Sequence, residues 1–313
     1  LTVSHKLDRN LGTRHRAALG LSAFVGFTEL GTLFVTGSPV CLLLLSMIPE
    51  VMAGQVTWGF WFVAALLPNL LFFAFSFLVI MFTLRPSLGG KTDLGTVALQ
   101  RRLLGPVTRR EIISITLLLL LVAGFATARY HGVNAAWIAV AVFLALVVTK
   151  TLDTPTFERG VNWGLMIYFG VLMGLGGVFA SLGIDRWLTG LAGQVLGSGL
   201  NNPYSFVAVI AAAAFLAHFL VPWPTASPIL ALVTIPLAIS VGTHPLVPIL
   251  VILFVGDHSF VPALNPTYLA MHYGSDGDLF THDQARPVLL AGSLSRIGAA
   301  VLSVPYWSAL GLM

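Results

Sequence analysis

Apolar positions along this chain gather into long runs rather than amphipathic stripes. Eight runs reach the roughly 17 to 25 residues that a helix needs to cross a bilayer: 17–48, 59–84, 112–129, 134–152, 161–182, 206–239, 245–272 and 287–310. Polar residues, glycine and proline punctuate them. Two runs, 17–48 and 206–239, are too long for one simple helix, and a third, 245–272, is broken by prolines. The pattern predicts an all-α, multi-pass membrane protein with interrupted spans.

The interruptions carry the most information. In hydrocarbon every backbone N–H and C=O needs a partner, so non-helical backbone survives only where protein buries it or a wet cavity receives it. Val221-Pro-Trp-Pro-Thr-Ala-Ser-Pro228 places three prolines in the middle of an apolar run. Each removes a donor and pushes the preceding residue out of the helical region. The run therefore reads as a re-entrant hairpin with arms 206–220 and 229–239 and a tip at 222–228; the competing reading is one proline-bent helix that crosses once. Phe34-Val-Thr-Gly-Ser-Pro-Val-Cys-Leu42 and Val261-Pro-Ala-Leu-Asn-Pro-Thr-Tyr-Leu269 break two further runs, and they superpose with Ser38 on Asn265 and Pro39 on Pro266. An acid, Glu29 or Asp257, is expected two to three helical turns before each break. Paired interrupted segments in the two halves of a hydrophobic chain point to a secondary transporter built from repeats. Half-helix N-termini there aim partial positive charge at an anion, and freed carbonyls and hydroxyls can bind a cation.

Composition excludes a water-facing globule, because 57% of residues are hydrophobic, only 9% are charged and mean hydropathy is +0.92. A formal net charge of +4 belongs to loops. Basic segments flank apolar spans without forming a readout face, which removes nucleic acid as a partner and leaves the lipid bilayer. Retention of positive loops in the cytoplasm places 1–16 and 85–110 inside, with Lys150 and Arg159 also inside and the end of 161–182 outside. Whether 206–239 returns to the same side then fixes the orientation of everything after it. Cys41 is the only cysteine, so no internal disulfide forms. The chain opens on Leu1 with a basic segment, which predicts a cytoplasmic loop entering a membrane helix in a chain missing its natural start. Three units follow: 1–58, the end of a first repeat with its broken helix; 59–160, spans and a basic cytoplasmic loop; and 161–313, a second repeat with hairpin 206–239, broken helix 245–274 and last span 287–310.

At the same residues the chain resembles a known family. Gly31-Thr-Leu-Phe-Val-Thr-Gly-Ser-Pro39 is similar to the Gly-Thr-rich broken-helix loop of the divalent anion/sodium symporter (DASS) family, and Pro262-Ala-Leu-Asn-Pro-Thr-Tyr-Leu-Ala-Met-His-Tyr-Gly274 to its second such loop. Trp58-Gly-Phe-Trp-Phe62, Gly105-Pro-Val-Thr-Arg-Arg-Glu111 and Asn162-Trp-Gly-Leu-Met-Ile-Tyr-Phe169 follow in the order of the dicarboxylate-translocator branch. The resemblance covers nearly the whole chain and the later two-thirds or so of a family member. It implies an inverted-repeat ion-transporter-superfamily fold, a homodimer, elevator-type alternating access and a carboxylate bound between hairpin tip and helix break. Carried over, the tip is Thr225, Ala226 and Ser227. The broken-helix loops are Thr36, Gly37, Ser38 and Pro39, and Ala263, Leu264, Asn265, Pro266 and Thr267. Substrate contacts are expected from Thr225, Ala226, Ser227, Ser38, Asn265, Pro266 and Thr267. Cation contacts are expected from Thr36, Gly37 and Ala263. Where sodium-dependent members show Ser-Asn-Thr at hairpin tips, this chain has hydroxyls and no amide, which shifts the expectation from sodium symport toward anion exchange.

Glu29, His218, Asp257, His258 and Arg296 interrupt apolar segments, where ionisable groups are costly and functional by default. Glu29 and Asp257 can neutralise a cation, carry a proton, or cap a helix break. His218 offers a dicarboxylate a partner whose charge varies near neutral pH, or it is a packed, hydrogen-bonded side chain. Arg296 can fork onto a carboxylate or pair with Glu29 or Asp257. Trp58, Trp61, Trp187 and Trp307 near span ends read as interfacial anchors. The functional expectation is a transporter of C4 or C5 dicarboxylates in a bacterial inner (plasma) membrane, by exchange or cation symport. No cofactor is expected beyond Na+ or H+ as coupling ion. The alternatives are the same architecture moving citrate, sulfate or a metalloid oxyanion, and an intramembrane hydrolase with Ser227 as nucleophile and His218 as base.

Overall fold

The computed structural model describes residues 13–85, 105–161, 163–184, 187, 190 and 200–313. Expectations for 1–12 and for the basic loop at 86–104 lie outside those residues. The described chain is helical throughout, without a strand. The helices are α1 (Thr13–Leu33), α2 (Pro39–Ser46), α3 (Glu50–Ala53), α4 (Trp58–Leu84), α5 (Arg109–Ala126), α6 (Ala128–His131), α7 (Ala135–Val148), α8 (Thr154–Gly160) and α9 (Trp163–Leu182). They continue with α10 (Pro203–Leu220), α11 (Trp223–Ser240), α12 (Leu246–Gly256), α13 (Pro266–Gly274), α14 (His282–Leu302) and α15 (Val304–Ala309). Among the described residues three helical stretches are long and apolar enough to cross a membrane: 58–84, 223–240 and 282–309. The protein is polytopic.

Local chemistry sets the boundaries. Side chains of Ser38, Thr57, Thr108, Asn134, Asp153, Asn202, Asn265 and Thr281 each accept a hydrogen bond from an orphan N–H in the first turn that follows. The long run 17–48 resolves into α1 and α2, and 245–272 into α12, a short 3-10 turn at Pro262–Leu264, and α13. The run 206–239 becomes two helices, but its turn is tighter than expected. Only Val221 and Pro222 separate α10 from α11, and Thr225, Ala226, Ser227 and Pro228 are already helical. Pro224 lies in the first turn, where its missing N–H would have no intrahelical partner anyway. Pro228 and Pro236 lie inside α11. Asp257 also departs from expectation: it is the residue that ends α12, not one placed turns before the break.

Packing follows hydrophobicity. Every residue of α12 is buried, as a helix apolar on all sides must be. It is surrounded by α1, α2, α10, α11 and α14. Helix α4 packs along α1 and α14. The α5–α7 pair closes where a Cβ on Gly124 would meet the Ile138 side chain at 2.9 Å. No residue of α7 is buried, and Leu118, Leu119 and Leu120 of α5 are exposed. An apolar surface on that scale suits lipid. Two expected interfacial anchors are instead internal. Trp61 and Trp307 are 0% and 1% exposed, and their indole N–H groups donate to Thr32 O and Ala64 O. Span-end position in the sequence does not reveal which face of the helix a tryptophan occupies.

Contacts between helix ends fix the sides. The start of α1 (Arg14), the end of α4 (Leu84, Arg85) and the start of α14 (Asp283, Gln284, Pro287) line one polar cavity. At the opposite end Trp307 and Tyr306 bond to Ala64 and Val63 near the start of α4, and His244 N, just before α12, donates to Leu312 O. Helix α12 therefore begins beside the chain's C-terminus and runs about 16 Å inward before it stops.

Candidate functional site

At the first interruption, side chains and a tight turn partner several of the backbone groups that the break frees. Gly37 N donates to Phe34 O, and a Cβ at Gly37 would stand 2.8 Å from both Gly31 O and Leu30 O, so the chain folds back onto the last turn of α1 where only glycine fits. The Thr32 carbonyl accepts from Trp61 Nε1 at 3.2 Å, and the Gly31 carbonyl from Cys41 Sγ at 3.4 Å. Two orphan carbonyls at the C-terminus of α1 are thereby satisfied. Ser38 Oγ then accepts from Val40 N and Pro39 opens α2. Thr36 Oγ1 accepts from Trp58 Nε1 at 3.2 Å.

Asn265 organises the second interruption. Its Oδ1 accepts from Tyr268 N at 3.0 Å and caps α13, while Nδ2 donates to Ser259 Oγ at 2.9 Å and to Asp257 Oδ1 at 3.4 Å. One fully buried amide thus ties the end of α12 to the start of α13. Ser38 and Asn265, matched by the sequence pattern, share a role: a side-chain cap followed by proline at the first helical position.

A cavity of 460 Å³ joins both interruptions to the hairpin. It is lined by Thr28, Gly31 and Thr32 of α1, by Gly37, Ser38 and Pro39, and by Trp223, Asp257 and Thr267. The starts of α2, α11 and α13 meet there, each presenting a helix N-terminus with partial positive charge. Of the expected residues, Gly37, Ser38, Asp257 and Thr267 line the cavity. Thr36 is turned to Trp58. Ala263 lies in the 3-10 turn and Pro266 opens α13. Thr225, Ala226 and Ser227 follow Trp223 in α11, where Ser227 Oγ–H donates back to Trp223 O at 2.6 Å. Thr28 and Thr32 also line the cavity, and their i, i+4 spacing across Glu29 is the only sequence signal for them. Asn69, whose Oδ1 accepts from Thr32 Oγ1 at 3.4 Å, is the one amide side chain in α4.

Further buried polar groups do not line the cavity. Glu29, fully buried, pairs with Arg296 Nη2. Arg296 Nη1 donates to Phe254 O at 2.5 Å, and its guanidinium carbon lies 4.5 Å from the Phe72 ring centroid. His258 sits on Phe215; its Nε2 contacts Phe215 O at 2.9 Å and its Nδ1 accepts from Phe260 N at 3.2 Å, a pattern that only the neutral Nε2–H tautomer satisfies. The buried His218 ring stands 4.5 Å from that of His258, and neither of its nitrogens has a partner among the described residues. Ser227 and His218 are not hydrogen-bonded to each other, so a nucleophile and base pair is not assembled. Among the described residues no group of three metal-ligating side chains converges.

The sequence is similar to known proteins. The family described as "Sodium:sulfate symporter transmembrane region" matches residues 1–313. The chain is 27% identical over 220 residues to "Dicarboxylate transporter 2, chloroplastic" of Spinacia oleracea, a match covering 67% of this chain and 38% of that protein. It is 28% identical over 161 residues to "Inner membrane protein YbhI" of Escherichia coli (strain K12), covering 50% and 33%. It is 29% identical over 196 residues to "Dicarboxylate transporter 2.1, chloroplastic" of Arabidopsis thaliana, covering 60% and 34%. The matched region thus spans little more than a third of these relatives' own length.

Proposed function

The chain belongs to the sodium:sulfate symporter (DASS) family, and from that premise we propose that the full-length protein carries small divalent organic anions, C4 or C5 dicarboxylates, across the membrane. The observation that carries this reading is the convergence of three helix N-termini on one cavity whose wall also holds Ser38, Thr267 and Asp257. N-termini and hydroxyls suit a carboxylate. Asp257 gives a coupling cation or proton a place beside it. The hairpin contributes Trp223 and the amide end of α11, whose first turns carry Thr225, Ala226 and Ser227. Two relatives named as dicarboxylate transporters support the substrate class.

Helix-end contacts favour a re-entrant hairpin over a single crossing. A single crossing of 206–239 would start α14 on the outer side, whereas α14 starts beside the starts of α1 and the end of α4, the basic side. In this reading α10 and α11 enter and leave from the outer side and their turn sits at mid-membrane. Exchange of one dianion for another is our preferred mode, on the absence of an amide in 222–228; sodium is the ion named by the family's description, and the experiment includes it. Elevator movement in a homodimer and residence in a bacterial inner membrane complete the proposal, the latter in keeping with the relative named as an inner membrane protein.

The test is counterflow in proteoliposomes holding the full-length protein. Labelled succinate or labelled sulfate is offered outside against internal succinate, malate, 2-oxoglutarate, citrate or sulfate, with and without a sodium gradient. Rapid counterflow with C4 and C5 diacids is expected. Counterflow with sulfate alone would move the protein to the second reading, suggested by the family's description, and absence of any uptake or exchange would end the transporter account.

A further inference from the structure

The geometry points to Arg296 as a positioning residue that clamps the two interrupted helices in the relative placement the cavity requires. One planar guanidinium reaches both of them. Nη2 holds Glu29 of α1, and Nη1 holds the Phe254 carbonyl in the last turn of α12. Phe254 O is one of the four carbonyls orphaned where that helix stops, so this hydrogen bond replaces a partner the break removed. Each anchored point adjoins the cavity wall: Thr28 precedes Glu29, and Asp257 comes three residues after Phe254.

The head group is also fixed sideways. Phe72 of α4 and Phe254 of α12 flank it at 4.5 and 5.5 Å from their ring centroids. Arg296 is 5% exposed and Glu29 0%, so neither charge is screened by water. A lysine in the same place is a point charge on a flexible stem and cannot make both bonds in one plane. Breaking a buried pair by removing one partner strands the other charge, whereas removing both is far less costly. The clamp's role is thus separable from the pair's contribution to stability. This inference rests on the cavity being the transport site, and the experiment distinguishes failure of either idea.

Arg296→Lys and the uncharged double variant Glu29→Gln/Arg296→Gln are made in the full-length protein. Two quantities are measured: amide hydrogen exchange by mass spectrometry in detergent, and succinate counterflow in proteoliposomes. Exchange is expected to rise together in 34–38 and 257–265 while α5 and α7 keep wild-type protection. The half-saturation concentration for succinate should rise about tenfold, with a smaller change in maximal rate, as expected for misplacement of a binding wall on the ångström scale. The clamp is overturned if either variant shows wild-type exchange at one or both interruptions, or a uniform rise that includes α5 and α7. Wild-type protein without succinate counterflow refutes the substrate reading alone, because the exchange data still decide the clamp.

Discussion

Gly37 is where one added methyl group should do most harm. A Cβ there would lie 2.8 Å from the carbonyl oxygens of Leu30 and Gly31 and 3.1 Å from the Gly31 carbonyl carbon. These are backbone atoms of the last turn of α1, and the Gly31 oxygen is already held by Cys41. Ordinary contact begins near 3.4 Å, so the loop or the helix end must move by roughly half an ångström; overpacking of this kind costs about 1–3 kcal/mol. Gly26 is the internal control, since a Cβ there meets nothing within 4 Å. In mid-helix Gly→Ala should be neutral or stabilising by about 0.5–1 kcal/mol. Thermal unfolding of the full-length protein in detergent and succinate counterflow are measured on both variants. Gly37→Ala should lower the melting temperature and raise the half-saturation concentration several-fold, an effect of the size that 1 kcal/mol produces in an equilibrium, while Gly26→Ala leaves transport unchanged. A Gly37→Ala protein with wild-type stability and transport would refute the close approach and with it the position of the first cavity wall.

Three other outcomes follow from named contacts. Asn265→Ala removes the cap on Tyr268 N and both donors to the Asp257 loop, so it should cost at least about 1–2 kcal/mol in thermal stability and weaken counterflow; an unaltered melting curve would show that the amide does not hold the loop. Ser227→Ala loses only a bond back into its own helix, so stability should change by less than about 1 kcal/mol and succinate half-saturation by little, whereas a large loss of transport would return Ser227 to the cavity wall. Outside the spans, Glu111 and Asp153 accept hydrogen bonds from Thr108 and Thr156, and these hold both carboxyls below their ordinary values. Lowered carboxyl values mean that the cap stabilises the first turns of α5 and α8 above the unfolded value and is lost as pH falls through the folded one. Amide exchange at the starts of α5 and α8, corrected for intrinsic rate, should therefore accelerate below about pH 4 and stay flat in Glu111→Gln and Asp153→Asn.

Much of the helical plan was legible because its signals are local. A small polar residue followed by proline is a cap and a first helical position, and both Ser38-Pro39 and Asn265-Pro266 read correctly as places where a helix restarts. The proline cluster at 222–228 also announced an interruption, but its width was overestimated. A proline in a first turn and a proline in a loop look alike in sequence, and Pro224 proved to be the former. What sequence spacing could not supply was partnership across the fold. Glu29 and Arg296 stood out as isolated charges, yet nothing local told which acid the arginine would hold. Trp61 and Trp307 are internal although their span-end positions suggest anchors, because depth and helix face are tertiary properties. Thr28, Thr32 and Asn69 carry little sequence signal because small polar residues in apolar helices bond their own backbone as readily as they line a cavity.

The most direct test of the central claim is protection of the cavity by its cargo. In full-length protein whose native cysteines, Cys41 among them, are replaced by alanine, Thr267→Cys places one thiol in the cavity that both interruptions and the start of α11 line. Its rate of modification by a small water-soluble thiol reagent is measured against increasing succinate, acetate and glucose. Succinate should slow modification with the same half-saturation that the variant shows in counterflow, and acetate and glucose should not. Modification unaffected by succinate at concentrations that saturate transport would place the dicarboxylate elsewhere and contradict the account.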